Sequence, residues 1–190
     1  MSEALRQPMG IEDFLDWRER QDGRYEYDGF APVAMTGGSY AHEIVSANIV
    51  GALHPRLRGT PCRVIGSSAL LATRGKLRNP DAMIVCGPVD PAVRVIPEPV
   101  VVFEVLSPST SFTDRIAKAR EYGATPSIRR YVILERLRMG ATVFSHDSGQ
   151  WVAAILEGET DLALPEVGLT IPLSEFYVDI DFPDPPHSGE

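Results

Sequence analysis

The stretch "EPVVVFEVLSPST", residues 98–110, constrains the fold more than any other part of the chain. Its valines read as a buried strand, because β-branched residues in continuous apolar succession favour extended backbone covered on both faces. Glu104 sits inside that run. An ionised carboxylate buried without partners costs several kcal/mol or takes up a proton, so the fold has to bring a partner to it.

The 190 residues suit a single domain with a proper core, spanning residues 1–182, with residues 183–190, "PDPPHSGE", expected to be a disordered tail. A hydrophobic fraction of 44% with 23% charged residues is that of an ordinary globular chain. No apolar run approaches membrane-spanning length. The opening "MSEALRQPMG" lacks the basic and then apolar order of a secretory signal. A cytoplasmic location is therefore expected, with Cys62 and Cys86 as free, buried thiols. No CxxC pair supports a sulfur-based zinc site. The net charge of −8 argues against nonspecific coating of nucleic acid, although "RLRG", "TRGKLR", "DRIAKAR" and "IRRY" would guide a phosphate backbone if gathered on one face.

The order of elements follows from periodicity and turn residues. "GIEDFLDWRERQ" places Ile11, Phe14 and Leu15 at helical spacing, and "RYEYDGFAPVAM" reads as a hairpin around Asp28 and Gly29. A helix follows from about Ala41, with Val45, Ile49, Ala52 and Leu53 on one face and Pro55 and Gly59 marking its end. "CRVIGSSALLATRG", "RNPDAMIVCGP" and the valine run then predict three neighbouring strands. A second helix is expected over "SFTDRIAKAREYGATP", capped by Ser111 or Thr113, with Asp114 in its first turn and Gly123 and Pro126 as stops. "RRYVILER", "GATVFSHDS", "QWVAAILEG" and "LTIPLSEFYV" read as further strands, the last with a helical turn.

Asp81 in "NPDAMIV" begins the strand that precedes the Glu104 strand. Were those strands adjacent, the two carboxylates would converge and repel each other unless a cation stood between them. Oxygen donors of this charge suit Mg²⁺ or Mn²⁺. Lys118, on the helix after the Glu104 strand, would project an ammonium toward the same acids.

This Asp, Glu and Lys order, on strands followed by a helix, resembles the PD-(D/E)XK nuclease superfamily, and most closely its restriction-endonuclease-like branch in bacterial genomes. Pro80-Asp81, "EVLSPST", "RYEYDG", "AMTGGSYAH", "LRGTPCRV" and "KAREYGA" carry the resemblance, over roughly residues 10–180. It implies an α/β restriction-endonuclease-like fold: a central mixed β-sheet flanked by helices in the order αβββαβ, with extra C-terminal strands. The sequence departs from the superfamily motif at Leu106, where a lysine is expected. The branch implies that this role moves to Lys118. By the same resemblance Asp81 and Glu104 are metal ligands, with the Val105 carbonyl a third, and Glu26 is an acid near the site. Tyr122, on the same helix face as Lys118, would support them.

Each residue also has a plainer reading. Asp81 alone would cap a turn beside Pro80, Glu104 would pair with a structural arginine, and Lys118 would pair with Asp114 one turn earlier. Glu26 is open between the site and a hairpin surface, and His42 between contacting phosphate or water and simply packing. Other chemistries fail on inspection: "MTGGS" lacks the phosphate-loop lysine, and Ser107 and Ser109 read as turn residues because no GxSxG elbow is present. Two functions stay open. One is a Mg²⁺-dependent endonuclease acting on DNA; the other is a catalytically silent nuclease-fold protein that binds nucleic acid or a protein partner. The closing segments, including "VFSHDSGQWVAAIL", offer a surface for a homodimer.

Overall fold

The computed structural model describes residues 8–35, 37–67, 70–106 and 112–182. The expected tail, the turn serines Ser107 and Ser109 and the proposed cap Ser111 lie outside them, as do the side chains of Thr113 and Asp114. Helix α1 (Ile11–Arg18) precedes the hairpin β1 (Tyr25–Tyr27) and β2 (Pro32–Ala34), which pairs Tyr25 with Ala34 and Tyr27 with Pro32 as the Asp-Gly turn predicts. Helix α2 (Tyr40–Leu57) leads into β3 (Cys62–Gly66), β4 (Leu70–Thr73), β5 (Lys76–Arg78), β6 (Ala82–Cys86), β7 (Val95–Ile96) and β8 (Pro99–Val105). Helix α3 (Phe112–Gly123) follows, then β9 (Arg130–Leu134), β10 (Gly140–Asp147), β11 (Gln150–Glu157), β12 (Asp161–Leu164) and β13 (Leu169–Pro172). A 3-10 turn at Leu173–Tyr177 closes onto α2, where Asn48 Nδ2 donates to the Phe176 and Val178 carbonyls at 3.2 and 2.8 Å.

A six-stranded sheet in the order β11-β10-β9-β8-β6-β3 forms the centre. Among the described strands of this sheet only β8 and β9 run parallel, and the crossover between them is made by α3. Strand alternation sends Val101, Phe103 and Val105 into the core shared with Val45, Ile49 and Leu53 of α2, whereas Val102 faces Ala119 and Tyr122 of α3. Glu104 shares the parity of Val102, so its side chain also faces α3. A second sheet, β2-β1-β5-β4-β7, packs Tyr27 and Leu77 on Phe14 and Leu15 of α1.

The αβββαβ core is α2, β3, β6, β8, α3 and β9, with β10 and β11 as the expected C-terminal strands. Three local expectations need correction. The segment "CRVIGSSALLATRG" does not stay in one sheet: its first half is β3 of the large sheet, while its second half starts the β4–β5 hairpin of the small one. Pro55 does not end α2, because the buried Leu53 and Leu57 hold the last turn in the core, and the chain leaves only at Gly59 with φ +77°. Strand β12 was not expected, being only four residues with two apolar positions, Leu162 and Leu164.

The cysteines are a fourth correction. Cys62 on β3 stands directly opposite Cys86 on β6 and the two form a disulfide, so they are not free thiols. A periodicity reading places both in strands but carries no register between them. The thiol argument for the cytoplasm therefore falls away; among the described residues, no helix is long and apolar enough to cross a membrane. A bridge across a sequence separation of 24 residues is expected to stabilise the fold by about 3 kcal/mol through loop closure. Urea unfolding with and without reductant should show a lower midpoint for the reduced protein, and thiol titration of unreduced, denatured protein should find no free cysteine.

Candidate active site

Glu104 emerges from the middle of the sheet toward α3, 8% exposed, and both carboxylate oxygens are met there. Lys118 Nζ donates to Oε2 at 3.0 Å and the Tyr122 hydroxyl donates to Oε1 at 2.8 Å. Lys118 and Tyr122 lie four residues apart, one helical turn, so one face of α3 delivers both. Burial raises the Glu104 pKa; Lys118 opposes that, while the carboxylates of Glu26 and Asp81 push it up further. Burial and the adjacent Glu104 carboxylate likewise hold the Tyr122 hydroxyl well above its ordinary value. That keeps Tyr122 a donor.

Glu26 reaches the same cluster from β1 of the small sheet. Its Oε1 lies 3.4 Å from Lys118 Nζ and accepts from the Asn79 backbone N–H at 3.2 Å. Its Oε2 accepts from Arg78 Nη1 at 2.8 Å. Arg78 in turn grips Glu121 with two further bonds, Nε to Oε2 and Nη2 to Oε1, both 2.8 Å. Burial alone would raise the pKa of both acids, but Lys118 and Arg78 bring Glu26 below its ordinary value, and the Arg78 and Lys76 hydrogen bonds do the same for Glu121. The planar fork of arginine spans two carboxylates at once, tying β5 to β1 and to α3.

Asp81 begins the β6 strand, and its Oδ2 accepts from the Val105 backbone N–H at 2.7 Å. The N–H and C=O of one strand residue point to the same side, which puts the Val105 carbonyl on the Asp81 side of β8. His42 Nε2 lies 3.3 Å from the same Oδ2. Burial lowers the His42 pKa, but the hydrogen bond and charge of Asp81 more than reverse this and raise it. The Ser39 side chain caps α2 by accepting from His42 N at 3.4 Å. Gly38 is required by space: a Cβ there would stand 2.3 Å from His42 Nδ1.

The buried cluster thus holds the acids Glu26, Asp81, Glu104 and Glu121 against Arg78 and Lys118, with His42 beside Asp81. Two features suit a hard cation. The carboxylates of Glu26 and Asp81 both repel that of Glu104, and Asn79 Oδ1 is buried with no hydrogen-bond donor among the described residues. Among the described residues, no three His, Cys, Asp or Glu side chains converge as a ready-made cage. Two carboxylates and a carbonyl still fit Mg²⁺, which keeps several of its own waters and is commonly held through one or two carboxylates. Each carboxylate oxygen also carries two acceptor sites, so the hydrogen bonds already made leave room for a further contact.

All the residues singled out from the sequence fall in this cluster: Asp81, Glu104, Val105 and Lys118, with Glu26, His42 and Tyr122 around them. Lys118 meets Glu104 and Glu26, whereas the side chain of Asp114, its partner in the plainer reading, lies outside the described residues. Arg78, Asn79 and Glu121 were missed. A signal was present for Glu121, since Lys118, Glu121 and Tyr122 at i, i+3 and i+4 share a helix face. For Arg78 the only hint was a cation three residues before Asp81.

With this geometry in place, similarity to known proteins becomes informative. Residues 11–174 match the Uma2 family, described as "Putative restriction endonuclease". The uncharacterized protein slr1290 of Synechocystis is 31% identical over 176 residues, which cover 90% of this chain and 92% of that protein. The crystal structure of a "putative nuclease belonging to DUF820" from Anabaena variabilis has the same fold, with a TM-score of 0.73 over 89% of this chain and 97% of that one at 12% identity. A chain matched over most of its length by one family, with a full-length relative and a shared restriction-endonuclease-like fold, is a member of that family: this protein belongs to the Uma2 restriction-endonuclease-like proteins.

Proposed function

We propose that the chain is a metal-dependent endonuclease that hydrolyses DNA phosphodiester bonds. The observation that carries this reading is the Lys118 ammonium 3.0 Å from the Glu104 carboxylate, on a strand whose next residue, Val105, binds Asp81. Asp81, Glu104 and the Val105 carbonyl would hold Mg²⁺ or Mn²⁺, which would supply charge stabilisation for a phosphodiester under attack. Lys118 orients the attacking water, itself positioned by Glu104 and Glu26. Tyr122 fixes the second oxygen of Glu104, and His42 offers Asp81 a counter-charge on the side facing α2. Leu106, at the position where the superfamily motif has lysine, packs into the α3-side core, so the cation has to come from α3.

The silent reading, a nuclease fold that binds without cutting, draws on that same Leu106 and on the lack of a ready-made three-ligand cage among the described residues. Cleavage assays separate the two. Purified protein with Mg²⁺ or Mn²⁺ should cut supercoiled plasmid or single-stranded DNA, and Asp81→Ala and Lys118→Ala should each lower the rate by at least about 100-fold, the scale of losing an electrostatic group from an active site. Wild type as inert as the variants, yet still shifting DNA on a gel, would favour the silent protein.

Metal binding can be read without activity. At about 100 times its dissociation constant a cation stabilises the fold by roughly 2.7 kcal/mol, so Mn²⁺ should raise the melting temperature by several degrees. Asp81→Ala should abolish that rise. An equal rise in wild type and variant would place the cation elsewhere.

Arg78 tests the support of Lys118. Arg78→Lys keeps one charge but loses the fork, and leaving buried carboxylates half-paired is expected to cost about 3 kcal/mol in urea unfolding. Stability within experimental error of wild type would show that the fork is dispensable.

A further inference from the structure

Strand β11 is the outer strand of the large sheet, and among the described residues no strand pairs with its free side. Its register to β10 sets which backbone groups are left over. Ser148 and Gly149, with φ of 48° and 82°, make a tight turn that pairs Asp147 with Gln150, and at the far end Gly158 N donates to Met139 O at 3.2 Å. Hydrogen-bonded and non-bonded pairs alternate along an antiparallel ladder. Gln150, Val152, Ala154 and Leu156 therefore direct their backbone groups to β10, while Trp151, Ala153, Ile155 and Glu157 direct theirs outward.

Exposed edges are usually blunted by charge, proline, a bulge or short length. This edge is eight residues long, pairs with β10 without interruption, and carries neither proline nor charge from Gln150 to Leu156. It is also apolar at the surface, with Val152 38% and Ile155 71% exposed. Two copies of a chain with net charge −8 repel each other on the whole, and an uncharged edge keeps that repulsion out of the contact.

We propose that β11 pairs with β11 of a second copy, antiparallel, about a twofold axis at Ala153. Ala153 is the middle of the uncharged segment Gln150–Leu156, and only this register lays the whole segment on itself. Trp151 then lies opposite Ile155 of the second copy and Val152 opposite Ala154, each pair on one face of the joined sheet. Moving the axis to Ala154 would set Glu157 against Trp151, and moving it to Val152 would leave Ile155 against the turn. With the axis at Ala153 the outward groups of Trp151, Ala153 and Ile155 all find partners, and the large sheet continues through the dimer.

Sedimentation velocity of the full chain from micromolar to several hundred micromolar should show a species of twice 20.8 kDa. Ala153→Pro removes only an outward N–H, and Ile155→Lys adds the charge the edge lacks; each should give monomer, and if the proline variant fails to fold the lysine variant decides. Cysteine cross-linking reads the register. Cα atoms of a bonded antiparallel pair lie about 5.5 Å apart, within disulfide reach, so Ala153→Cys should cross-link to its copy under mild oxidation. Ile155→Cys should not, because its copy is offset by about 13 Å along the strand. Monomer at every concentration, a dimer that survives both variants, equal cross-linking of the two cysteines, or pairing only with a strand of another protein would overturn the proposal. Cleavage does not enter these readouts, so failure of the nuclease reading leaves them unchanged.

Discussion

The structure depends on keeping one carboxylate, that of Glu104, inside a valine strand at the centre of a sheet. Left alone there it would be neutral or strongly destabilising. The chain surrounds it with an ammonium and a phenol from a single turn of α3. Those two contacts orient the helix against the sheet, and they explain why a strand with continuous apolar neighbours on the α2 side carries a polar residue on the other. Glu26 and Asp81 raise the pKa of Glu104 further, so the site concentrates negative charge instead of dispersing it. A purely structural ion pair would need one acid and one base.

The small sheet matters for the same reason. Glu26 comes from β1 and Arg78 from β5, strands outside the αβββαβ core, and both reach Lys118 or its helix. Arg78 is as buried as the acids it binds, and one guanidinium holds three elements in register. Thr73 on β4 adds a bond to the Glu121 carbonyl at 3.2 Å, so β4, like β1 and β5, is docked on α3. The position of Lys118 is thus set from both sides: by the large sheet through Glu104 and by the small one through Glu26.

How much of this was legible in the sequence depends on the range of the interaction. Helices and the first hairpin were readable because their signals are local: apolar spacing in "IEDFLDW", an Asp-Gly turn, a glycine at the end of α3. Asp81, Glu104 and Lys118 were readable as a set because an acid in each of two adjacent apolar runs, with a lysine on the next helix, is an ordered combination that the family resemblance also carries. Register was not readable. The Cys62–Cys86 bridge, the division of "CRVIGSSALLATRG" between two sheets and the Arg78–Glu121 contact all depend on pairings between residues far apart in the chain, for which hydrophobic period carries no information. Tyr122 and His42 were placed near the site but not given their partners, since their contacts depend on how α3 and α2 sit on opposite faces of the sheet.

The two sides of the site differ in how their charge is met, and this bears on where a cation would enter. Glu104 and Glu26 face Lys118 and Arg78, fixed cations held by several bonds. Asp81 faces a backbone N–H and His42, whose positive charge depends on a proton. A divalent cation arriving at Asp81 would meet a histidine that can give up its proton, whereas one arriving at Glu26 would have to compete with an arginine that cannot. If the proposed cation binds, the Asp81 side, next to the Val105 carbonyl and open to exchange of charge, is therefore where it would disturb least the ion pairs that hold Lys118.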